Sequence, residues 1–163
     1  MLRLLLPSEM KADLVKLILA ELRSRMERLA KAALAAHEAA TDPGSKAESK
    51  YDTRSLEESY LATGQALHVK GLSQTIRAFE NLKLKDFIKG DEIDAGALVE
   101  TLRKGGKEKS HFLLAPASGG LEILYKGFEV TLLSPDSPLY QNLLGLRAGD
   151  SLDAPPLEII WVK

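Results

Sequence analysis

Three carboxylates, Asp42, Glu48 and Asp52, crowd one short stretch of this chain, Thr41-Asp-Pro-Gly-Ser-Lys-Ala-Glu-Ser-Lys-Tyr-Asp-Thr-Arg54. Glu48 and Asp52 are four apart, so on a helix they share one face. Hard oxygen ligands of this kind suit Mg²⁺, which takes one or two protein carboxylates beside water and phosphate oxygens. A metal held this way could orient a water for phosphodiester hydrolysis. The same acids also suit a plain solvated turn, where they solubilise the loop and offset the dipole of the helix that follows. Lys46, Lys50 and Arg54 dilute the negative charge and could contact acidic protein groups or nucleic acid. Both readings of the stretch stand on residue types alone.

Little else in the chain could do chemistry. His37, His68 and His111 are too scattered for a ligand set. Cysteine is absent, which removes disulfides, thiolate metal sites and a thiol nucleophile together. No nucleophile elbow, phosphate-binding loop or dinucleotide fingerprint occurs. Gly105-Gly106 and Gly119-Gly120 read as hairpin turns. The expectation is a protein that is not itself an enzyme and binds no cofactor stably, with Mg²⁺ at most shared with a partner.

The 163 residues suffice for one or two small domains, and 45% hydrophobic with 28% charged residues is ordinary for a folded soluble protein. No stretch approaches the ~18–20 apolar residues of a membrane span. Met1-Leu-Arg-Leu-Leu-Leu-Pro7 lacks the longer core and cleavage site of a secretory signal. With no cysteine, the expected location is the cytoplasm. Net charge is -1, with 15 basic and 12 acidic residues up to Gly90 and 7 and 11 beyond it. A free-standing nucleic-acid binder concentrates basic charge on one patch. Its absence here implies that any role near DNA or RNA runs through a protein partner.

The acidic stretch must be positioned by the elements on either side. Val15, Leu19, Leu22, Met26, Leu29, Ala33, Ala36 and Ala40 recur at alternating spacings of four and three, the seam of a coiled coil. This predicts a helix from Ser8, as N-cap, to about Ala40. Ala62, Gln65, Val69, Leu72, Ile76 and Phe79 continue the pattern in a second helix. It starts somewhere in 45–55, where two capping boxes compete, and runs to about Leu84. A short link makes the pair an antiparallel hairpin. Large residues anchor its base and alanines its turn end, giving a slender rod of roughly 50 Å. A helical bundle needing a partner pair is the alternative.

Beyond Asp91 the period changes to short β-rich runs at 97–102, 111–115, 121–125, 128–133 and 157–162, punctuated by glycines. Lys83 to Glu92 is a charged joint. The division is 1–85, a coiled-coil hairpin with its tip at about 41–54, and 86–163, a small β domain. The fold class is α+β, a long hairpin followed by a small antiparallel sheet carrying one short helix.

That helix lies in Ser134-Pro-Asp-Ser-Pro-Leu-Tyr-Gln-Asn-Leu-Leu-Gly-Leu-Arg-Ala-Gly-Asp150. Ser137 suits an N-cap, with its hydroxyl accepting a backbone N–H, and Pro138 suits the first helical position. Leu139, Leu143 and Leu144 form an apolar face, Gly145 can stop the helix in the left-handed conformation, and Ala148-Gly149-Asp150 is the next turn. The stretch resembles the end of the bacterial Gre-type transcript-cleavage factors, where a serine-proline pair precedes a leucine-rich helix ending Leu-Leu-Gly, with Gly-Asp following. The order of parts resembles that family over most of the chain.

The resemblance implies an FKBP-like C-terminal domain that docks on bacterial RNA polymerase and a coiled coil that enters its secondary channel. Tip acids would then help the polymerase cleave backtracked RNA. It points to docking through Ser134, Pro135, Asp136, Ser137, Pro138, Leu139, Gly149 and Asp150, and to cleavage through Glu48 at most, with Asp42 and Asp52 as nearby substitutes. The partner is RNA polymerase, nucleic acid is met only indirectly within the elongation complex, and the chain is expected to be a monomer. Family tips carry an acid, two residues, a glutamate-asparagine pair and then a tyrosine. Here Tyr51 matches the tyrosine and Ala47 or Glu48 falls at the glutamate. A non-catalytic channel-binding regulator is therefore the first alternative. A peptidyl-prolyl isomerase is another, which would need Phe112, Tyr125, Phe128, Tyr140 and Trp161 around one pocket.

Overall fold

The computed structural model describes residues 7–41 and 54–163, so the tip acids Asp42, Glu48 and Asp52 lie outside the described residues. The elements in order are α1 (Pro7–Thr41), α2 (Arg54–Glu80), β1 (Leu98–Arg103), β2 (Lys109–Leu114), β3 (Glu122–Tyr125), β4 (Phe128–Leu133), α3 (Pro138–Leu143), β5 (Ser151–Leu152) and β6 (Leu157–Val162). They divide into two compact units. One takes α1 up to Ile18 together with Ala78–Lys163, and the other spans Leu19–Arg77. No helix among the described residues is long and apolar enough to cross a membrane.

Within 19–77 the heptad seam is the sheltered face. Leu22 and Ile76 are buried, and Leu19, Met26, Leu29, Ala33, Ala36, Gln65, Val69 and Leu72 are half-buried. Leu72 of α2 lines one groove with Glu21, Arg25, Arg28 and Leu29 of α1, so the two helices face each other along their middles. Glu21 pairs with Arg25 at 2.6 Å, the i, i+4 order that suits a helix. Arg28 donates to the Ser24 hydroxyl at 2.7 Å and lies 3.9 Å from the same Glu21 oxygen.

Helix ends depart from expectation by a few residues. Ser8 falls inside α1, because Pro7 itself takes the first turn, where a missing donor costs nothing. α2 stops at Glu80 rather than near Leu84. Leu82 N closes a tight turn on Phe79 O at 3.2 Å, and the chain then plunges inward. Phe87, within the expected joint, and Ile93, just after it, belong to the β core.

The sheet order is β3-β4-β2-β1-β6-β5. β1–β2, β1–β6, β3–β4 and β5–β6 are antiparallel, but β2 and β4 run parallel, which corrects the all-antiparallel expectation to a mixed sheet. The cause lies at Ser118-Gly119-Gly120, which is a crossing and not a hairpin turn. Ala115 N bonds Leu133 O at 2.8 Å and Gly120 N bonds Leu132 O at 2.8 Å, so the segment wraps the end of β4 and delivers β3 to the sheet edge. β3 then returns as β4 through Lys126-Gly127, both at positive φ as a two-residue hairpin requires. β4 therefore comes to lie beside β2 pointing the same way.

One face of the sheet carries the core cluster of Phe87, Ile93, Ala97, Val99, Leu114, Leu133, Tyr140, Leu143 and Ile159. Tyr140 and Leu143, three apart on α3, supply the helix's share. Leu144, expected on that face, is the C-cap with an extended ψ of 133° and points its side chain outward.

Candidate functional site

The stretch from Ser134 to Asp150 folds as turn, helix, turn. β4 ends at Leu133, and Ser137 N closes the first turn on Ser134 O at 2.8 Å. The Ser134 hydroxyl donates to Asp136 Oδ1 across the same turn. That bond holds the exposed Asp136 carboxyl below its usual range. From α3, Gln141 Nε2 reaches back to Pro135 O at 2.6 Å, and Gln141 N bonds Ser137 O at 3.2 Å. Ser137 has the extended N-cap backbone, with φ -73° and ψ 129°, and Pro138 follows at the first helical position. The expected cap bond from the Ser137 hydroxyl does not form. The Gln141 side chain ties the helix entry instead.

The second turn is used internally. Gly145, at φ +78°, ends α3, and its N–H bonds Ile93 O at 2.9 Å. Asp150 Oδ2 accepts Arg147 N at 2.7 Å, and Gly149 N bonds Ile159 O at 2.8 Å. Arg147 in turn pairs with Glu92 at 2.7 Å. Of the eight residues assigned to docking, Ser134 to Leu139 are thus contiguous at the entry of α3. Gly149 and Asp150 form a separate turn whose polar groups hold the chain to β6. Pro135, Asp136 and Pro138 are exposed, while Ser134, Ser137 and Leu139 are half-buried.

A cavity of about 550 Å³ lies beside the second turn, lined by Asp91, Glu92, Asp94 and Arg147 among others. Its acids have partners of their own. Asp91 accepts Ile88 N at 3.0 Å, Asp94 accepts Ala95 N at 2.8 Å, and Glu92 holds Arg147.

A polar cluster that sequence reasoning missed sits on β1 and β2. Glu100 pairs in register with His111, is only 7% exposed, and accepts from Lys109 Nζ and His111 Nε2, each at 2.9 Å. Burial pushes its carboxyl up, but the hydrogen bonds and charges of Lys109 and His111 outweigh this and hold it below the glutamate range. The available signal was a lone acid inside an apolar strand. His111 rests against Phe128 at 4.4 Å and Trp161 at 5.9 Å, and Tyr125 meets Phe128 edge-on at 5.6 Å. Phe112 and Tyr140 belong to the other cluster, around α3. The five aromatics are therefore divided between two clusters. His37 and His68 are exposed on the helices. Among the described residues no group of three or more His, Asp or Glu could hold a metal.

No protein-family model and no curated protein matches the sequence. Solved structures with partial similarity include the GreA factor homolog 1 (Gfh1) of Thermus thermophilus, at 21% identity over 93% of this chain and 93% of that one, with a TM-score of 0.36. A structure of the transcription factor Gfh1 shares 20% identity over 88% of this chain and 92% of that one, with a TM-score of 0.36. Thermus aquaticus Gfh1 shares 19% identity over 94% of each, with a TM-score of 0.34.

Proposed function

We propose that this chain is a Gre-like transcription elongation factor that binds bacterial RNA polymerase through the Ser134–Leu139 turn and places its helical hairpin in the secondary channel. The observation that carries the reading is the turn itself. Ser134 to Leu139, six of the residues that carry the family resemblance, form one contiguous, internally braced element whose Pro135, Asp136 and Pro138 are exposed. Asp136 accepts the Ser134 hydroxyl and Pro138 opens α3, yet all three side chains are exposed, and exposed, well-held loop residues are where binding functions concentrate. Ordinary composition and near-neutral charge fit a factor that reaches nucleic acid only through a protein partner.

Two modes of action follow from the tip sequence. With Glu48 at the family's glutamate and Asp42 and Asp52 as neighbouring acids, the chain stimulates cleavage of backtracked RNA by the polymerase. With Ala47 at that position, it occupies the channel without cleavage and competes with other channel-binding factors. Stalled, backtracked complexes with labelled RNA separate the two. Shortened transcripts on addition of the chain support the first mode. Unshortened transcripts with altered elongation or displacement of a second channel factor support the other. Complexes indifferent in every respect contradict the reading.

A further inference from the structure

We propose that Gly119 and Gln141 are positioning residues that grip the Ser134–Ser137 turn from two sides and fix the form in which it meets the polymerase. The proposal rests on the reading of that turn as the docking element. Gly119 lies in the crossing from β2 to β3, far from the turn in sequence. A Cβ built on it would stand 2.3 Å from Ser134 Oγ and 3.2 Å from both Ser134 Cβ and Ser134 N. Its backbone is not in the left-handed region, so a glycine is needed there for space alone. No other glycine among the described residues would bring a Cβ closer than 3.5 Å to a neighbour.

Ser134 is held by several hydrogen bonds around it. Its hydroxyl is committed to Asp136, its carbonyl accepts Ser137 N at 2.8 Å, and the preceding Leu133 O holds Ala115 N at 2.8 Å. On the opposite side, Gln141 Nε2 pins Pro135 O at 2.6 Å from the exposed face of α3. The crossing strand connection and the helix thus clamp a turn whose outward residues are otherwise free to rotate with it. Neither clamp residue carries a charge, and neither is needed for the apolar core.

The test uses the full chain with Gly119→Ala, Ser134→Ala, the double variant and Gln141→Ala. In the free protein, NMR titration of the Asp136 carboxyl reports whether Ser134 still reaches it. In a competition assay, affinity for core RNA polymerase reports docking. Gly119→Ala is expected to weaken binding by about tenfold and to return Asp136 to the ordinary aspartate range. Ser134→Ala has a smaller effect, and adding Gly119→Ala to it costs less than Gly119→Ala alone, because the 2.3 Å contact with the hydroxyl is gone while the 3.2 Å contacts with Ser134 Cβ and N remain. Gln141→Ala adds no bulk, so it keeps the fold and is expected to weaken binding several-fold. Wild-type affinity and Asp136 titration in Gly119→Ala, or strictly additive losses in the double variant, overturn the proposal. Full affinity in Gln141→Ala overturns its half of the clamp. A wild-type chain that binds no polymerase overturns the docking reading instead, while the Asp136 titration still decides whether Gly119 holds the turn.

Discussion

Lys11 takes an ammonium group into the interior of the unit that holds the sheet. It is 0% exposed, its Nζ donates to Lys85 O and lies 3.4 Å from Gly96 O, and it sits 4.7 Å over the Phe87 ring. Burial lowers it from 10.5 to about 8, with Asp86 opposing the shift and Lys85 adding to it. The sign of the consequence follows from proton binding. Between pH of about 8 and 10.5 the unfolded chain keeps a proton that the native chain releases, so native stability gains as pH rises through that window. Below it the burial cost is constant. Urea unfolding of the wild type and Lys11→Met at pH 7.5 and 9.5 is therefore expected to show the wild type gaining on the variant at the higher pH. An equal difference at both would contradict the assignment. Sequence could not reveal this residue, because lysine is by type a surface group and its partners here are backbone carbonyls far along the chain. Glu100 was hidden for a related reason: its partners Lys109 and His111 come together only when β1 and β2 pair. Ser134 and Asp136 were legible as a turn, but their bracing by Gly119 was not, since it depends on a crossing whose path no local pattern encodes.

At the level of elements, the helices were legible and the strand order was not. Residues 19–77 bury the stripe that the four-three spacing marks out, since a helix shows the same face at every recurrence of its period. Nearer its start, α1 buries Lys11, Leu14 and Ile18, a face that the heptad through Val15 and Leu19 passes over. Five of the six strands were recognisable as β-rich runs, while β5, only Ser151–Leu152, is too short to show a pattern. The parallel β2–β4 pairing depends instead on Ser118-Gly119-Gly120 crossing the end of β4, where glycine pairs would normally suggest a hairpin. The helical pair offers a direct check. Leu22 is 2% exposed, and a carboxylate there would be desolvated without a partner. Leu22→Asp is expected to cost at least about 3 kcal/mol and to lower helicity by circular dichroism, at a midpoint independent of protein concentration. A midpoint that climbs with concentration would instead indicate seams buried between chains.

At the scale of the whole molecule, the turn proposed to dock lies in one unit and the helical pair in the other. Asp42, Glu48 and Asp52 lie in sequence between α1 and α2. Acidic residues are mostly surface residues, and surface substitutions usually change stability by no more than ~0.5 kcal/mol. Glu48→Ala with Asp52→Ala should accordingly leave melting temperature and polymerase affinity nearly unchanged, and should abolish any stimulation of transcript cleavage that the wild type shows. Loss of polymerase affinity in that double variant would move the docking contact from the Ser134 turn to the tip. Beneath both modes of action lies the claim that the chain binds RNA polymerase at all. Titration of labelled full-length chain with bacterial core RNA polymerase, followed by fluorescence anisotropy, measures it. A saturable isotherm with one chain per polymerase and displacement by unlabelled chain is the expected result; a flat anisotropy up to roughly 100 μM polymerase, far weaker than specific complexes of standard interface size, would contradict it.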